Sequence, residues 1–279
     1  MGMKRTERTI QVGFTLLLAA GALLTIFPFI YMISTSLKGP IFIFELPPLL
    51  IPSDPTLQNF VRAWTSNRFG TYFLNSLGVA VVTTLLVVWL GSMMAFAFAR
   101  FSFFLKKPLY YLVMFFMMMP AMSLIVPQFI LAVQLKLVDH LSGLVVLYVA
   151  QNLPLCTFLL RGFIEQVPLE IEEAARMDGA SAWDLYWQIV LPLCRPALAT
   201  AAIFASLGAW DEYVWALTIL NNPEVRTLPV GIATFQGVHN TDWGLVFAAS
   251  LIAIAPIILL FIALQKYFIK GVVTGAVKG

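Results

Sequence analysis

The stretch Glu172–Pro196, EEAARMDGASAWDLYWQIVLPLCRP, is a polar segment between two long apolar runs, and it decides how the rest of the chain is interpreted. The flanking runs, 141–164 and 197–220, are long enough to cross a membrane, which takes about 20 apolar residues. A charged loop with a glycine break has no use in the hydrocarbon layer. We therefore expect it to lie in water and to contact another component.

Local signals in this loop predict two short helices separated by a glycine corner. The first covers Glu170–Met177, follows Pro168, has acidic residues in its first turn and ends before Gly179. Ser181 is the expected N-cap of the second helix, with Asp184 three residues later. The apolar side chains at helical spacing in the second helix are Trp183, Tyr186, Trp187 and Val190.

Composition places the whole chain in a membrane. Of its 279 residues, 60% are hydrophobic and 11% are charged, against about 25% charged in soluble domains. No apolar run alternates with the period of two that barrel strands require, so we expect an all-α integral membrane protein with six transmembrane helices in one domain over 1–279. The predicted spans are 12–36, 74–98, 108–133, 141–164, 197–220 and 245–268, with a helical loop over 165–196.

Two details of these spans follow from the residues themselves. The first run continues past the roughly 7–15 apolar residues of a signal-peptide core, which favours a retained span over a cleaved signal. Pro120 and Pro127 predict kinks in the third span.

The distribution of charge predicts the orientation. If both termini are cytoplasmic, twelve of the 17 Lys and Arg residues lie on the cytoplasmic side, as the positive-inside rule favours. The 165–196 loop is then cytoplasmic as well. Cys156 and Cys194 have no metal-site or disulfide spacing and are expected to be small buried side chains, and no metal site is predicted.

Several segments resemble one known family. In the loop, the spacing of Glu173, Ala174, Ala175, Gly179, Ile189, Leu191 and Pro192 is similar to the cytoplasmic EAA loop of ATP-binding-cassette (ABC) importer permeases. Nearly end to end, the chain resembles the six-span carbohydrate permease subunit of the maltose-transporter type. The other matching segments are Pro28–Lys38 (PFIYMISTSLK), Pro55–Phe60 (PTLQNF), Asn75–Ser76, Trp210–Trp215 (WDEYVW) and Ile269–Gly279 (IKGVVTGAVKG).

The resemblance implies a transport subunit that is not itself an enzyme. In that family the EAA loop is a coupling helix between spans four and five that docks on a cytoplasmic ATPase. Carried over here, the ATPase-coupling residues are Glu173, Ala174, Ala175, Asp178 and Gly179. The chain has no Gly-x-x-x-x-Gly-Lys-Ser/Thr phosphate loop, so no cofactor is expected on it, and ATP and Mg²⁺ are expected on partner ATPase subunits. A plain interfacial anchor is the alternative for the aromatic second helix.

The family also implies partners and a location. We expect a second homologous permease subunit, two ATPase subunits, an extracytoplasmic solute-binding protein and membrane lipid, in the cytoplasmic (inner) membrane of a prokaryote. The tail residues Gly275, Val277 and Lys278 resemble a segment that reaches the ATPases; a frayed terminus is the alternative. The outer-loop residues Phe235, Gln236, His239 and Asn240 are candidates for contact with the binding protein, against a plain connecting loop.

Polar side chains within spans are candidates for the translocation pathway, because they are costly in lipid and usually face protein or a water-filled cavity. Gln151 and Asn152 precede Pro154 in the fourth span, and Asp211 and Glu212 are expected about 21 Å along the fifth helix. Hydrogen bonding between spans is an equally good explanation for all four.

The expected cargo is a sugar or oligosaccharide, moved by ATP-driven alternating access. Uptake of glycerol phosphate or a polyol is the alternative within the class; Arg226 alone lies near a predicted outer mouth, which favours a neutral sugar. An ion-gradient secondary transporter is the alternative from another class. Such transporters usually contain internal repeats, which are not evident here, and would give the EAA loop no purpose.

Overall fold

The computed structural model describes the backbone of residues 2–41, 49–237 and 240–276, and the side chains of 10–41, 49–237 and 240–265. The α-helices are α1 Gly2–Ser36, α2 Gln58–Thr65, α3 Phe69–Arg100, α4 Lys106–Met118, α5 Ile125–Gln134, α6 Leu141–Ile164, α7 Leu169–Met177, α8 Ala182–Asp184, α9 Leu191–Leu193, α10 Arg195–Trp210, α11 Val214–Ile219, α12 Leu228–Ala233 and α13 Trp243–Ala276. Within the described residues, the all-α class that composition predicted is confirmed.

Within the residues that the structure describes, four helical stretches are long and apolar enough to cross a membrane: Ile10–Ser36, Phe69–Arg100, Leu141–Ile164 and Trp243–Gln265. Two bent helix pairs also pass this test, which gives up to six spans if each pair counts as one. Large apolar side chains on these helices are widely exposed; Leu24, for example, is 79% exposed. Such surfaces are unfavourable in water and are stable facing lipid or another apolar protein.

The predicted third span is one of the bent pairs. α4 and the helical segment Ala121–Gln134 meet at an angle of 101°. The break lies at Met119 and Pro120, which both have extended backbone. The expected kink at Pro127 is absent, because Pro127 lies in the first turn of α5, where its missing N–H leaves no helical hydrogen bond unmade.

The predicted fifth span, 197–220, is also interrupted, after Trp210, and a sharp bend precedes it. The segment Ala182–Leu193 meets α10 at 80°, and α10 ends at Trp210 before the chain turns into α11. The expectation of a continuous helix running past Asp211 is therefore wrong. Asp211 instead directly follows α10, so it lies at a helix terminus, where backbone groups need other partners.

The chain divides into two compact units, of which the first comprises Met1–Phe69 and Ile232–Ile254. Here the buried Asn59 side chain donates to the carbonyl oxygens of Ser36 at 3.0 Å and Lys38 at 2.6 Å. One turn later on α2, Arg62 forms a 2.9 Å ion pair with Asp242, directly before α13. These contacts join the end of α1 and the start of α13 to α2.

The second unit comprises Gly70–Gly231 and Ala255–Gly279. Its core packs α3, α6 and α10 closely through small side chains; a Cβ added to Gly91 on α3 would meet the Cys156 sulfur of α6 at 2.6 Å. Cys156 and Cys194 are both buried and unpaired, as their isolated positions in the sequence predicted. Close helix contact through small residues is the usual packing of membrane helices.

Candidate functional site

The first half of the loop forms the short helix α7, and its limits agree with the sequence prediction. Pro168 precedes the helix, Glu170 and Glu172 occupy its first turn, and Asp178 follows its end. Gly179 has φ +89°, the left-handed conformation that glycine adopts without strain. The chain is thereby turned sharply after α7.

The five predicted coupling residues lie together on and beside α7, and they differ in exposure. Glu173, Ala174, Asp178 and Gly179 are exposed, whereas Ala175 is half-buried and packs against the core of its unit. The exposed surface carries carboxylates beside small residues, so a partner can approach the backbone closely and find charged groups at the edge of the contact.

A buried ion pair attaches α7 to the end of α3, and the sequence analysis did not predict this pair. Arg100, the last residue of α3, donates from Nε to Oε1 of Glu172 at 2.6 Å, and the two side chains are 7% and 2% exposed. One terminal nitrogen of Arg100 also donates to the backbone oxygens of Ile164 and Val167, where α6 ends. The guanidinium therefore ties together α3, α6 and α7.

Nothing local in the sequence distinguished Glu172 from Glu170 or Glu173. The available signal was indirect: an arginine at the end of an apolar run, and one more carboxylate than a helix N-terminus needs. In the sequence, Arg100 is only one of the twelve positive charges expected on the cytoplasmic side. Its role as a partner depends on which face of α7 turns toward α3.

The second half of the loop begins with the predicted cap. The Ser181 hydroxyl accepts from the Asp184 N–H at 3.2 Å, and the Asp184 carboxylate accepts from the Ser181 N–H at 3.0 Å, which is a complete capping box. Hydrogen bonds from the Ser181 side chain and backbone lower the pKa of Asp184 from its ordinary value. The carboxylate therefore remains charged to lower pH than a free one.

The predicted aromatic stripe does not form a single face. Leu185–Val190 is a π-helical turn, which is wider than an α-helical turn and redistributes the side chains around the axis. Tyr186 and Val190 are buried, and the Tyr186 hydroxyl lies 2.7 Å from the Ser92 hydroxyl of α3. Trp183 and Trp187 are about half exposed. The loop is thus anchored on α3 and still presents two indoles outward.

Two of the four candidate pathway residues, Asn152 and Glu212, form hydrogen bonds with Tyr148 of α6. The Tyr148 hydroxyl donates to Oε2 of Glu212 at 2.7 Å, and the Asn152 amide donates to the Tyr148 carbonyl at 2.8 Å. Gln151 is adjacent on α6 and half-buried, and Asp211 is exposed at the end of α10. The Tyr148–Glu212 bond joins α6 to the segment after α10, and Asn152 lies against Gly208 of α10, whereas no hydrogen bond brings Gln151 or Asp211 into this group among the described residues.

Glu212 has a clear structural role in this group. Its carboxylate also accepts from the backbone N–H groups of Trp215 at 2.8 Å and Ala216 at 3.0 Å, at the start of α11. With the Tyr148 bond, both carboxylate oxygens are occupied. For Glu212, the structure therefore shows the hydrogen bonding between helical segments that was the alternative to a pathway role. The exposed Asp211 forms no such bonds through its carboxylate among the described residues.

The structure describes only some of the candidate residues in the last outer loop and in the C-terminal tail. Phe235 is buried and stacks on Phe69 at 6.0 Å, whereas Gln236 and Asn240 are exposed, and Gln236 forms an isolated antiparallel bridge with Thr241. His239 lies outside the described residues. In the tail, Gly275 falls in the last turn of α13, and Val277 and Lys278 lie outside the described residues.

Comparison with known proteins identifies the family of this chain. The family model described as "Binding-protein-dependent transport system inner membrane component" matches residues 87–274, which include α6, α7 and α10. This chain belongs to that family. It is the inner membrane permease component of an ABC transport system, and the resemblance of the chain to permeases of ABC importers is confirmed.

Several relatives match the permease over nearly its full length. The melibiose/raffinose/stachyose import permease of Bacillus subtilis is 35% identical over 95% of this chain and 96% of the relative. The trehalose/maltose transport system permease of Thermococcus litoralis is 36% identical over 92% of this chain and 93% of the relative. A putative ABC transporter permease of a Caldicellulosiruptor species is 37% identical over 95% and 96%.

Solved structures share the fold of this permease. A crystal structure of a bacterial ABC transporter that imports the acidic polysaccharide alginate contains a chain with TM-score 0.81 and 24% identity, covering 95% of this chain and 98% of that one. A second crystal structure, of a bacterial alginate transporter in complex with an alginate pentasaccharide-bound periplasmic protein, contains a chain with TM-score 0.68 and 14% identity. The match covers 94% of this chain and 95% of that one. At these identities the likeness concerns the fold.

Proposed function

We propose that this chain is one permease subunit of an ATP-driven importer that moves a neutral sugar or oligosaccharide across the cytoplasmic membrane by alternating access. One observation carries the proposal: the short helix α7 exposes Glu173 and Ala174 and is fixed to the end of α3 by a buried ion pair, whose arginine also binds the end of α6. Permeases of sugar importers are 35% and 36% identical to the chain over nearly its whole length, which supports the sugar.

The proposed coupling is mechanical. An ATPase subunit binds the face made by Glu173, Ala174, Asp178 and Gly179, and nucleotide-driven closure of two ATPases moves α7 as a rigid unit. Because Arg100 binds both α7 and the end of α6, this displacement is passed to the helices that carry the candidate pathway residues. ATP and Mg²⁺ bind the ATPases, and this chain supplies no catalytic group.

The remaining assembly follows the same proposal. A second homologous permease completes the pathway, and an extracytoplasmic binding protein delivers the sugar, with Gln236 and Asn240 on the exposed turn it would meet. Asp211, exposed at the end of α10, is the better candidate for contact with cargo than Glu212, whose carboxylate is already occupied. Both termini are cytoplasmic, and the C-terminal tail reaches the ATPases.

Crosslinking tests the proposed docking. Cys156 and Cys194 are buried, so a thiol introduced by Ala174→Cys, at an exposed position, is the reactive one within the described residues. We expect an Ala174→Cys crosslink to a co-expressed ATPase subunit in membrane vesicles. Ile51→Cys, 85% exposed in the first unit, is the control and should give none. No Ala174→Cys product in vesicles that transport would reject the coupling assignment.

Uptake into proteoliposomes of the whole transporter tests the energy source and the cargo class. Accumulation of a neutral sugar with internal ATP and the binding protein, unaffected by ionophores, is the expected result. Preference for glycerol phosphate or a polyol would replace the proposed cargo. Accumulation that needs an ion gradient and no ATP would overturn the mechanism.

A further inference from the structure

An open groove of about 680 Å³ lies between the start of α4 and the end of α6, apart from the coupling face and the pathway residues. Three cationic side chains line it, those of Lys106, Lys107 and Arg161. Both ends of the groove lie where an apolar helix starts or stops, so it lies at the boundary of the membrane. We name it the α4–α6 groove.

The charges in this groove are only partly compensated. Arg161 donates from Nε to Glu165 at 2.8 Å, and its guanidinium lies 4.0 Å from the centre of the Tyr110 ring. Its two terminal nitrogens and the ammonium groups of Lys106 and Lys107 form no hydrogen bond or ion pair within the described part of the chain. Three cations against one carboxylate leave the groove positive, with donors free to bind an anion.

The rest of the lining is aromatic and apolar. Tyr111 is 67% exposed and Phe158 is 50% exposed, and both border the groove on the side of the spans. A freely dissolved anion gains nothing from such a wall. A molecule with an anionic head and hydrocarbon chains satisfies both parts, and basic pockets between transmembrane helices are known to bind anionic lipid head groups.

We propose that the α4–α6 groove binds an anionic phospholipid, with its phosphodiester between Lys106, Lys107 and Arg161 and its acyl chains along Tyr111 and Phe158. The Tyr110 ring holds the Arg161 guanidinium in place, and an arginine fork presents paired donors to phosphate oxygens. This site does not depend on the identity of the cargo or on ATPase docking.

The test measures lipid retained by the intact transporter. The complex is purified in detergent, and bound phosphatidylglycerol is compared with bound phosphatidylcholine by native mass spectrometry. We expect selective retention of phosphatidylglycerol. Since a cation beside an anionic lipid contributes about 1 kcal/mol, Lys107→Gln should weaken retention about fivefold, and the double variant K106Q/K107Q on the order of 30-fold.

Arg195→Gln is the matched control for one lost charge. Arg195 is exposed at the start of α10, is predicted on the same side of the membrane, and does not line the groove. Unchanged retention in Arg195→Gln supports a specific site. An equal loss of lipid in Arg195→Gln would overturn the specific site, because any positive surface charge would then have the same effect. No loss in K106Q/K107Q would overturn it as well, because the two lysines would then not bind the lipid.

Two further outcomes test the choice of ligand. Equal retention of phosphatidylcholine by the wild-type protein would mean that the groove does not select anionic head groups. Displacement of bound phosphatidylglycerol by inorganic phosphate alone would show that a soluble anion suffices. Either result contradicts a phospholipid site, whereas competition by other anionic phospholipids supports it.

Discussion

Glu172 shows how much depends on the orientation of one side chain. Three glutamates lie within the first five residues of α7, yet Glu172 is 1% exposed and the other two face outward. The burial of its charge is made tolerable by Arg100, which in turn satisfies two backbone oxygens at the end of α6. Glu173, the next residue, is left free for a partner.

We predict that Glu172→Gln strongly destabilises the permease, because the buried Arg100 guanidinium loses its counter-charge. Removing one partner of a buried pair typically costs about 3–5 kcal/mol. Thermal unfolding of the purified transporter should show the loss, together with reduced ATPase stimulation by the binding protein.

Glu170→Gln is the control on the same helix. Glu170 is exposed, so its substitution should change stability by less than about 0.5 kcal/mol. The double variant R100L/E172L should recover only part of the lost stability, since Ile164 and Val167 still lose their donor. If Glu172→Gln unfolds at the wild-type temperature, the pair does not hold α7.

The coupling proposed for helix α7 depends on the turn that ends the helix at Gly179 as well as on its exposed residues. A Cβ added at Gly179 would meet no atom within 4 Å, so a substitution there tests backbone conformation without steric clash. The φ of +89° is unfavourable for side chains other than glycine, most of all for β-branched ones, while asparagine tolerates the left-handed region. This turn sets the angle between α7 and the anchored second half of the loop.

We predict that Gly179→Val leaves membrane insertion and assembly intact and uncouples uptake from ATP hydrolysis. The strain, of about 1–2 kcal/mol, is relieved by reorienting α7 on the ATPase. Uptake per ATP hydrolysed in proteoliposomes is the measurement. Gly179→Asn is the matched control and should retain most coupling; normal uptake in Gly179→Val would discard the role of this turn.

Two of the segments that resemble the family, Pro55–Phe60 and Asn75–Ser76, share one structural role in the molecule. The Asn59 amide donates to the carbonyl oxygens of Ser36 and Lys38 at the end of α1. The Asn75 amide donates to those of Glu224 and Arg226, and the Ser76 hydroxyl accepts from the Leu228 N–H. Each satisfies backbone at a helix end or loop, where an unpaired group is costly near lipid. The resemblance therefore identifies the fold and machinery of the transporter more strongly than its cargo.

A prediction for the assembled transporter concerns its C-terminus. The backbone of α13 continues to Ala276, and the tail resembles a segment that reaches the ATPases. We predict that truncation after Val273 lowers the ATPase content and hydrolysis rate of the purified complex. Truncation after Ala276 is the shorter control and separates the last helical turn from residues 277–279. Wild-type assembly and rate in both would indicate a terminus without a role.

Short-range signals were sufficient for the helical class, the limits of α7 and the capping box, because Pro168, Gly179, Ser181 and Asp184 act on backbone within a few residues of themselves. Such signals did not reveal the pairing of Arg100 with Glu172, 72 residues apart, or the bonds that fill the Glu212 carboxylate. Those contacts depend on which helix faces meet once the spans pack. An apolar pattern with no polar face encodes insertion into the membrane and leaves the choice of neighbours to packing in three dimensions.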